Sequence, residues 1–243
     1  MTDAANQPFD GKVVLITGAG RGLGRALALS FSSAGARVAA DDLTPINLDV
    51  TIQQIQAAGG QARAYYVDIA KGLPARGLNK QVMDEYGRQD ILVNNAAVRP
   101  HTPILELDEW DWQRTLDVNL SGPFLLTQAA AEVMRAEGGG LIVNIAADPP
   151  EGEIPGEQAA FYASKAGLVA FSQAAAQELF AYNIRVHVIC PGEMGRSLDP
   201  LLVYPAYRAV VERVLFLCSP EASHLNGEVI RLAGSCLTAE EKP

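Results

Sequence analysis

Short apolar runs alternate along this chain with longer segments in which apolar residues recur at helical spacing. Such alternation predicts βαβ units and a parallel sheet. The runs are apolar at successive positions, which is typical of strands that helices cover on both faces. The helical segments include residues Gly22 to Ala34 and Gln158 to Tyr182. The strand candidates are KVVLIT, RVAAD, ARAYYVD, ILVNN, LIVNI, IRVHVIC and GEVIRL.

These elements predict a doubly wound α/β fold, a three-layer sandwich around a mainly parallel seven-stranded sheet. Right-handed crossovers would place helices on both faces of that sheet. The ligand crevice is then expected at the carboxyl ends of the strands, where the strand order reverses. The chain has 243 residues without a repeat or a linker, so we expect one domain over residues 1–243.

Charge and cysteine content narrow the classes of partner. The formal net charge of −9 disfavours nucleic acid and anionic membranes, because a negative surface repels phosphate groups. The chain start has no basic segment followed by an apolar stretch, and no run is long enough to cross a bilayer. We therefore expect a cytoplasmic protein. Cys190, Cys218 and Cys236 are far apart, which predicts buried thiols and no metal site.

A glycine turn follows the first predicted strand. The segment GAGRGLG leads from that strand directly into a segment of helical period. Gly18 would permit the tight turn, Gly22 would let the backbone approach a pyrophosphate, and Gly24 would let the helix pack closely. Glycines that serve only a turn are the alternative interpretation. The order of strand, turn and helix favours a dinucleotide site.

Two acidic residues end the second predicted strand. Asp41 and Asp42 lie about twenty residues beyond the glycines, where a carboxylate can accept hydrogen bonds from ribose hydroxyls. This position favours NAD, because a 2′-phosphate would meet two carboxylates and no nearby cation. Asp42 could instead cap a turn or helix. Asp68, after the third strand, could reach the adenine edge or act only as a cap.

Five motifs occur in one order: TGAGRGLG, NNAA at 94–97, Asn119 in DVNLSGPF, YASK at 162–165 and CPG at 190–192. Together they resemble the classical short-chain dehydrogenase/reductase family over nearly the whole chain. The resemblance implies a Rossmann-type fold, a nicotinamide cofactor and a small alcohol or carbonyl substrate. It places the following residues at the cofactor: Gly18, Arg21, Gly22, Leu23, Gly24, Asp42, Leu43, Asp68, Ile69, Asn95, Ala96, Ala97, Tyr162, Lys165, Pro191 and Gly192.

The same resemblance assigns catalytic roles to three residues. Tyr162 is expected to exchange a proton with the substrate oxygen, and Lys165 to hold the nicotinamide ribose and lower the pKa of that tyrosine. A nearby ammonium favours the phenolate, and a separation of three residues is expected to bring both side chains to one helix face. Asn119 is expected to organise a water-linked proton path. Its alternative role is that of a helix-bending or capping amide.

Three segments depart from the family pattern. No serine or threonine lies between Asn144 and Tyr162, so Ala147 takes the place expected of a catalytic serine. Asp148 could serve instead as a protonated donor. The substrate-covering segment, residues 193–204, is short, and Ser197 or the backbone would have to replace a threonine that contacts the cofactor. The chain continues with LAGS where the family usually has aspartate and two glycines.

Three functions remain open at this point. The first is an NAD(H)-dependent oxidoreductase that interconverts an alcohol and a ketone or aldehyde. The second is an NAD-binding homologue with little or no activity and a sensing, binding or assembly role. The third is an active enzyme that catalyses another reaction on the same scaffold. The acidic side chains of Asp148, Glu151 and Glu153 disfavour an anionic substrate, because like charges repel. A homodimer or homotetramer is also expected, because the helical segments at 108–135 and 158–182 carry excess apolar surface.

Overall fold

The computed structural model describes residues 7–149, 155–192 and 205–232. Within these ranges, seven strands alternate with seven α-helices. The strands are β1 (Val13–Thr17), β2 (Arg37–Asp41), β3 (Ala62–Tyr65), β4 (Ile91–Asn94), β5 (Gly140–Ile145), β6 (Ile184–Cys190) and β7 (Val229–Arg231). The helices are α1 (Gly22–Ser33), α2 (Pro45–Ala57), α3 (Gly72–Tyr86), α4 (Glu109–Leu116), α5 (Gly122–Ala136), α6 (Ala159–Leu179) and α7 (Pro205–Cys218).

The strands form one sheet in the order β3-β2-β1-β4-β5-β6-β7. Every pairing between neighbouring strands is parallel. The chain builds outward from β1 to β3 and then returns to the centre to begin β4, so the winding reverses between β1 and β4. The predicted doubly wound α/β fold is confirmed, and its crevice lies at the carboxyl ends of these two strands.

The central strand shows why the apolar runs form this sheet. Alternate residues of a strand point to opposite faces. Val14 and Ile16 pack with α1 and α7 in one buried cluster, and Val13 and Leu15 pack with α3 and α5 in another. A strand enclosed on both faces has no solvent side, so its sequence loses the polar alternation of a half-exposed strand.

A chain of buried polar side chains links the second half of the sheet to α6. The amide of Asn94 donates to Asn144 Oδ1 at 2.8 Å, and the amide of Asn144 donates to Ser172 Oγ at 2.8 Å. Ser172 in turn donates to the carbonyl of Leu168 at 2.6 Å. Asn94 therefore belongs to the core, although it begins the NNAA motif. These hydrogen bonds hold α6 against β4 and β5.

Several predicted boundaries differ from the observed ones by one to three residues, and two of the differences have a clear structural reason. The third strand ends at Tyr65 rather than Asp68, because the amide of Val67 donates to the Asp41 carboxylate at 2.9 Å instead of pairing with a strand. The predicted long helix from 108 is interrupted by a π-helical turn over Asp117–Ser121, between α4 and α5. None of the helices in the described ranges combines the length and the apolar character that crossing a membrane requires.

One buried side chain in β6 makes the fold sensitive to acid. Both ring nitrogens of His187 are buried and have no hydrogen-bond partner among the described residues. Burial, reinforced by the charge of Arg185, lowers the pKa of His187 from 6.5 to about 4. His187 is therefore uncharged in the folded protein at neutral pH.

We expect the free energy of unfolding to fall as the pH drops from 6.5 towards 4, the window set by the lowered pKa of His187. In this window the unfolded histidine binds a proton that the folded one does not, which favours unfolding. His187→Leu should flatten this part of the profile, measured by urea denaturation across the range. His224→Asn, at an exposed histidine, is the control and should keep the wild-type slope. Identical slopes in wild type and His187→Leu would contradict the assignment.

Candidate active site

The turn between β1 and α1 leaves no room for side chains. Gly18 has a φ of 65°, and a Cβ atom there would lie 2.8 Å from the Cα atom of Ala96. A Cβ atom on Gly24 would lie 2.0 Å from the carbonyl oxygen of Gly18. The turn can therefore close only with glycine at these positions, and it directs the first amides of α1 towards the crevice.

Side-chain hydrogen bonds join this turn to the end of β4. The hydroxyl of Thr17 accepts from the backbone amides of Asn95 at 3.0 Å and Ala96 at 3.1 Å. The Asn95 side chain donates to the carbonyls of Thr17 at 2.9 Å and Gly18 at 3.2 Å. The Asn95 side chain therefore clamps the two strand ends together.

A cleft of about 380 Å³ lies above this junction, within the size range of small-ligand sites. Most of the residues predicted to contact the cofactor line it: Gly18, Arg21, Gly22, Leu23, Gly24, Asp42, Leu43, Asp68, Ile69, Asn95, Ala96 and Ala97. Tyr162, Lys165, Pro191 and Gly192 are not part of this lining; the last two directly follow β6.

Asp42 caps a turn, as the alternative interpretation expected, and it also lines the cleft. Its two carboxylate oxygens accept from the backbone amides of Gly20 at 2.9 Å and Thr44 at 2.8 Å. Each carboxylate oxygen has two lone pairs, so a second donor can still be accepted. The bonds to Gly20 and Thr44 hold the carboxylate in a fixed orientation beside the glycine turn.

Asp41 is placed differently from its neighbour. It is almost completely buried and accepts from the amide of Val67. Burial raises the pKa of Asp41 to about 8, an effect that the Val67 amide opposes and that the carboxylates of Asp42 and Asp68 increase. Any electrostatic selection between dinucleotides therefore depends on Asp42 more than on Asp41.

Sequence reasoning missed one cation in the cleft. Arg114, on α4, donates to both carboxylate oxygens of Asp68 at 3.1 and 3.2 Å. The two residues are distant in the chain, so no local motif links them. The pair gives Asp68 a structural partner. Its Oδ1 atom also accepts from the amide of Ala70 at 3.2 Å, as the cap interpretation expected. Asp41, which sequence reasoning named together with Asp42, also lines the cleft. The other lining residues that were not predicted are Thr44, Val67, Val98 and Val118.

Lys165 lies on α6, below the end of β5. Its ammonium donates to the carbonyl of Ile145 at 2.7 Å. Burial lowers the pKa of Lys165 to about 8, and the neighbouring Cys190 acts in the opposite direction. The ammonium also lies 5.9 Å from the centre of the Phe161 ring.

Tyr162 does not meet Lys165 in this structure. Its ring packs edge-on against that of Phe161 at a centroid distance of 5.2 Å, and the guanidinium of Arg99 lies 5.9 Å from it. In the described part of the chain, neither a hydrogen bond of the Tyr162 hydroxyl nor a contact with Lys165 is found. The expected tyrosine and lysine are both buried at the start of α6 without forming a pair.

Asn119 lies in the π-helical turn, fully buried, and its amide is committed to protein groups. Its oxygen accepts from the amide of Val98 at 2.9 Å. Its nitrogen donates to the carbonyl of Val98 at 2.9 Å and to Ser164 Oγ at 3.0 Å. Both amide protons are therefore used, and Asn119 connects the loop after β4 to α6.

Ala147 follows the end of β5, where it offers a methyl group and no hydroxyl. Its neighbour Asp148 forms an ion pair with Arg231 of β7 at 2.6 Å. A carboxylate in such a pair accepts hydrogen bonds and cannot donate one, which disfavours the substitute-donor role considered for Asp148. Glu151, Glu153, Ser197, the segment 193–204, most of LAGS and Cys236 lie outside the described residues.

A family model described as short chain dehydrogenase matches residues 12–199. The chain belongs to the short-chain dehydrogenase family. An uncharacterized oxidoreductase of Thermotoga maritima is 36% identical, and the alignment covers 93% of this chain and 97% of that protein. D-threitol dehydrogenase of Mycolicibacterium smegmatis is 35% identical, with 93% of each chain covered. The curated relatives are thus oxidoreductases by name, and the predicted family is confirmed.

Solved structures of short-chain dehydrogenases share the fold. A 7α-hydroxysteroid dehydrogenase complexed with NADH and 7-oxo glycochenodeoxycholic acid is 30% identical to this chain and has a TM-score of 0.86. The similarity covers 97% of this chain and 98% of that one. The glycine turn, the amides at the start of α1 and the Asp42 carboxylate suit the pyrophosphate and ribose groups of a dinucleotide.

Gly24→Ala should reduce the stability of this short-chain dehydrogenase, because the added methyl group collides with the Gly18 carbonyl. Overpacking of this kind typically costs about 1–3 kcal/mol. Gly77→Ala in α3 is the matched control, since a Cβ atom there meets nothing within 4 Å. The control should be neutral or stabilising by up to about 1 kcal/mol. Urea denaturation of both variants checks this, and equal effects would contradict the proposed crowding.

Proposed function

We propose that this protein binds NAD(H) in the cleft at the carboxyl ends of β1 and β4, as one Rossmann-type domain over residues 1–243. The observation that carries the proposal is the placement of Asp42 beside the glycine turn, with its carboxylate oriented by two backbone amides. The amides at the start of α1 would hold the pyrophosphate, and the backbone at Ala96 and Ala97 would line the opposite wall.

Asp42 also supports a preference for NAD(H) over NADP(H). A carboxylate can accept hydrogen bonds from the two ribose hydroxyls, whereas it repels a phosphate in the same place. Arg114 is already paired with Asp68, whose two carboxylate oxygens both accept from its Nη1 atom. Arg21 lines the cleft on the glycine-turn side. The preference for the dinucleotide without the third phosphate therefore depends on the Asp42 carboxylate beside the glycine turn.

Asp42→Asn should weaken NAD⁺ binding and reduce the discrimination against NADP⁺, each by roughly 1–2 kcal/mol, because a charge-assisted hydrogen bond is lost. Isothermal titration calorimetry with both dinucleotides measures this. Asp49→Asn, at an exposed carboxylate of α2, is the control and should leave both dissociation constants unchanged. Equal affinities of the wild-type protein for NAD⁺ and NADP⁺ would reject the preference.

Two chemical roles are compatible with NAD(H) binding. The first is the interconversion of a small alcohol and a ketone or aldehyde, which the names of the relatives and the buried Lys165 support. Bound NAD(H) would supply or accept the hydride. In this role Tyr162 would exchange the proton, and the charge of Lys165 would favour its phenolate form.

The second role is NAD(H) binding for sensing, regulation or assembly, without turnover. A specific observation favours it: the two positions expected to face the substrate oxygen offer no hydroxyl that is paired with Lys165. Ala147 has only a methyl group, and Tyr162 packs against Phe161 and Arg99. Calorimetry with NAD⁺ tests binding in both cases, and a panel of alcohols and ketones followed by NADH absorbance separates the two roles.

We also propose a homodimer or homotetramer. A groove of about 300 Å³ runs along α5 and α6, and it is lined mainly by apolar atoms. The half-exposed ring of Phe124 lies in it and meets Phe171 edge-on at 5.9 Å. A second copy of the chain would present the same face, as a twofold axis requires. Burial of this shared apolar surface is the expected source of the association.

Phe124→Glu should therefore shift the protein towards the monomer, because it places a charge in the centre of the proposed interface. Light scattering over a range of protein concentrations gives the mass. Ile46→Glu on α2 is the control, since Ile46 is 78% exposed and far from the groove in the fold, and it should keep the wild-type mass. A wild-type protein that stays monomeric at every concentration would count against assembly.

A further inference from the structure

We infer that Phe161, not Tyr162, occupies the helix position that faces Lys165, so that this chain holds NAD(H) without a phenol beside its lysine. The inference rests on the proposed binding of NAD(H) and decides between the two roles that follow from it. It predicts a protein that binds the dinucleotide and transfers no hydride to alcohols or ketones at an enzymatic rate.

Phe161 and Tyr162 occupy different positions around α6 relative to Lys165. Successive residues of an α-helix are turned by about 100°, so a residue four positions earlier lies almost directly under a given side chain. Phe161 is four residues before Lys165, and Tyr162 is three. The Lys165 ammonium lies 5.9 Å from the Phe161 ring, in the range of a cation–π contact. The phenyl ring thus takes the place that the expected proton donor would need.

A second cation holds the Phe161 ring in this position. The guanidinium of Arg99 lies 4.9 Å from its centre. Arg99 is itself oriented, because its Nε atom donates to Gln158 Oε1 at 2.6 Å. The ring is nearly buried between these groups and the edge of Tyr162. Turning Tyr162 towards Lys165 would require displacing a ring that two cations and a neighbouring ring already contact.

The third step is the proton balance of the reaction. Reduction of a carbonyl takes one hydride to carbon and one proton to oxygen, and oxidation of the alcohol reverses both transfers. Ala147 and Phe161 provide no exchangeable proton. Ser164 donates its proton to the carbonyl of Phe161 at 2.6 Å, which directs that hydroxyl back to its own helix. A positioned acid or base typically contributes about 10²–10⁴-fold in rate. Neither Phe161 nor Ala147 can supply one at the positions expected to face the substrate oxygen.

Introducing a hydroxyl at position 161 tests the inference. Phe161→Tyr, alone and together with Ala147→Ser, should create NADH-linked ketone reduction at about 100-fold or more above the wild-type background. The matched control is Phe180→Tyr, which adds the same hydroxyl at a 64% exposed position just beyond α6 and should create none. Wild-type turnover that disappears in Tyr162→Phe would overturn the inference.

A titration provides a readout that needs no turnover and no dinucleotide. The phenol introduced by Phe161→Tyr should ionise at a lower pH with Lys165 present than without it, because the ammonium stabilises the phenolate while burial opposes ionisation in both cases. Tyrosinate absorbance of this variant, taken as a difference from wild type, measures it. Adding Lys165→Met should return the introduced phenol to ordinary or higher values. Equal titration with and without Lys165 would overturn the assigned register, even if the variant gains no activity.

The two proposals fail in different ways. A wild-type protein that does not bind NAD⁺ in calorimetry would reject the proposed function and leave the titration result standing. A wild-type protein that binds NAD⁺ and turns over through Tyr162 would support the proposed function and reject the register. Circular dichroism of each variant confirms folding, and Phe161→Leu, which also removes the ring but adds no hydroxyl, should remain inactive.

Discussion

The turn between β1 and α1 closes against the end of β4 so tightly that only backbone and hydrogen-bonded amides fit there. Thr17 and Asn95 join the two strand ends, and Gly24 lets α1 begin directly over the turn. From below, buried Arg25 donates to Thr51 Oγ1 at 2.9 Å and also to the carbonyl of Gly20, tying the turn to α2. The position of the cleft, the direction of α1 and the orientation of Asp42 all follow from this closure.

The sheet could be predicted from sequence because its strands are enclosed on both faces, which produces apolar runs that helices do not share. The boundaries depended on contacts that are distant in sequence. Asp41 captures the amide of Val67 and ends β3 early, and nothing in the segment ARAYYVD signals that competition. The interruption of the long helix is similar, since the residues DVNLS are compatible with an ordinary α-helix and the buried bonds of Asn119 accompany the wider turn.

The site divides along the same line. The part of the site proposed for the dinucleotide depends on the glycine turn and on Asp42 at the end of β2, and sequence reasoning found most of the lining of that cleft. The expected catalytic residues lie on α6, and their placement depends on which side of the helix each one occupies. A shift of one residue along a helix turns a side chain by about 100°. The family resemblance and a separation of three residues suggested Tyr162 as the partner of Lys165, whereas the structure puts the Phe161 ring against that lysine. Arg99 and Arg114 escaped notice because their partners are on other elements.

The π-helical turn over Asp117–Ser121 also limits how the length of this chain can vary. Deleting one residue from this turn would restore the regular α-helical pattern of backbone hydrogen bonds, so these bonds would not oppose the deletion. The wider turn takes up one residue more than an α-helical turn does, so the apolar side of α5 would still face the sheet after the deletion. The cost of the deletion would be local. Asn119 lies in the wider turn, and its bonds to Val98 and Ser164 would be lost with the change of backbone geometry.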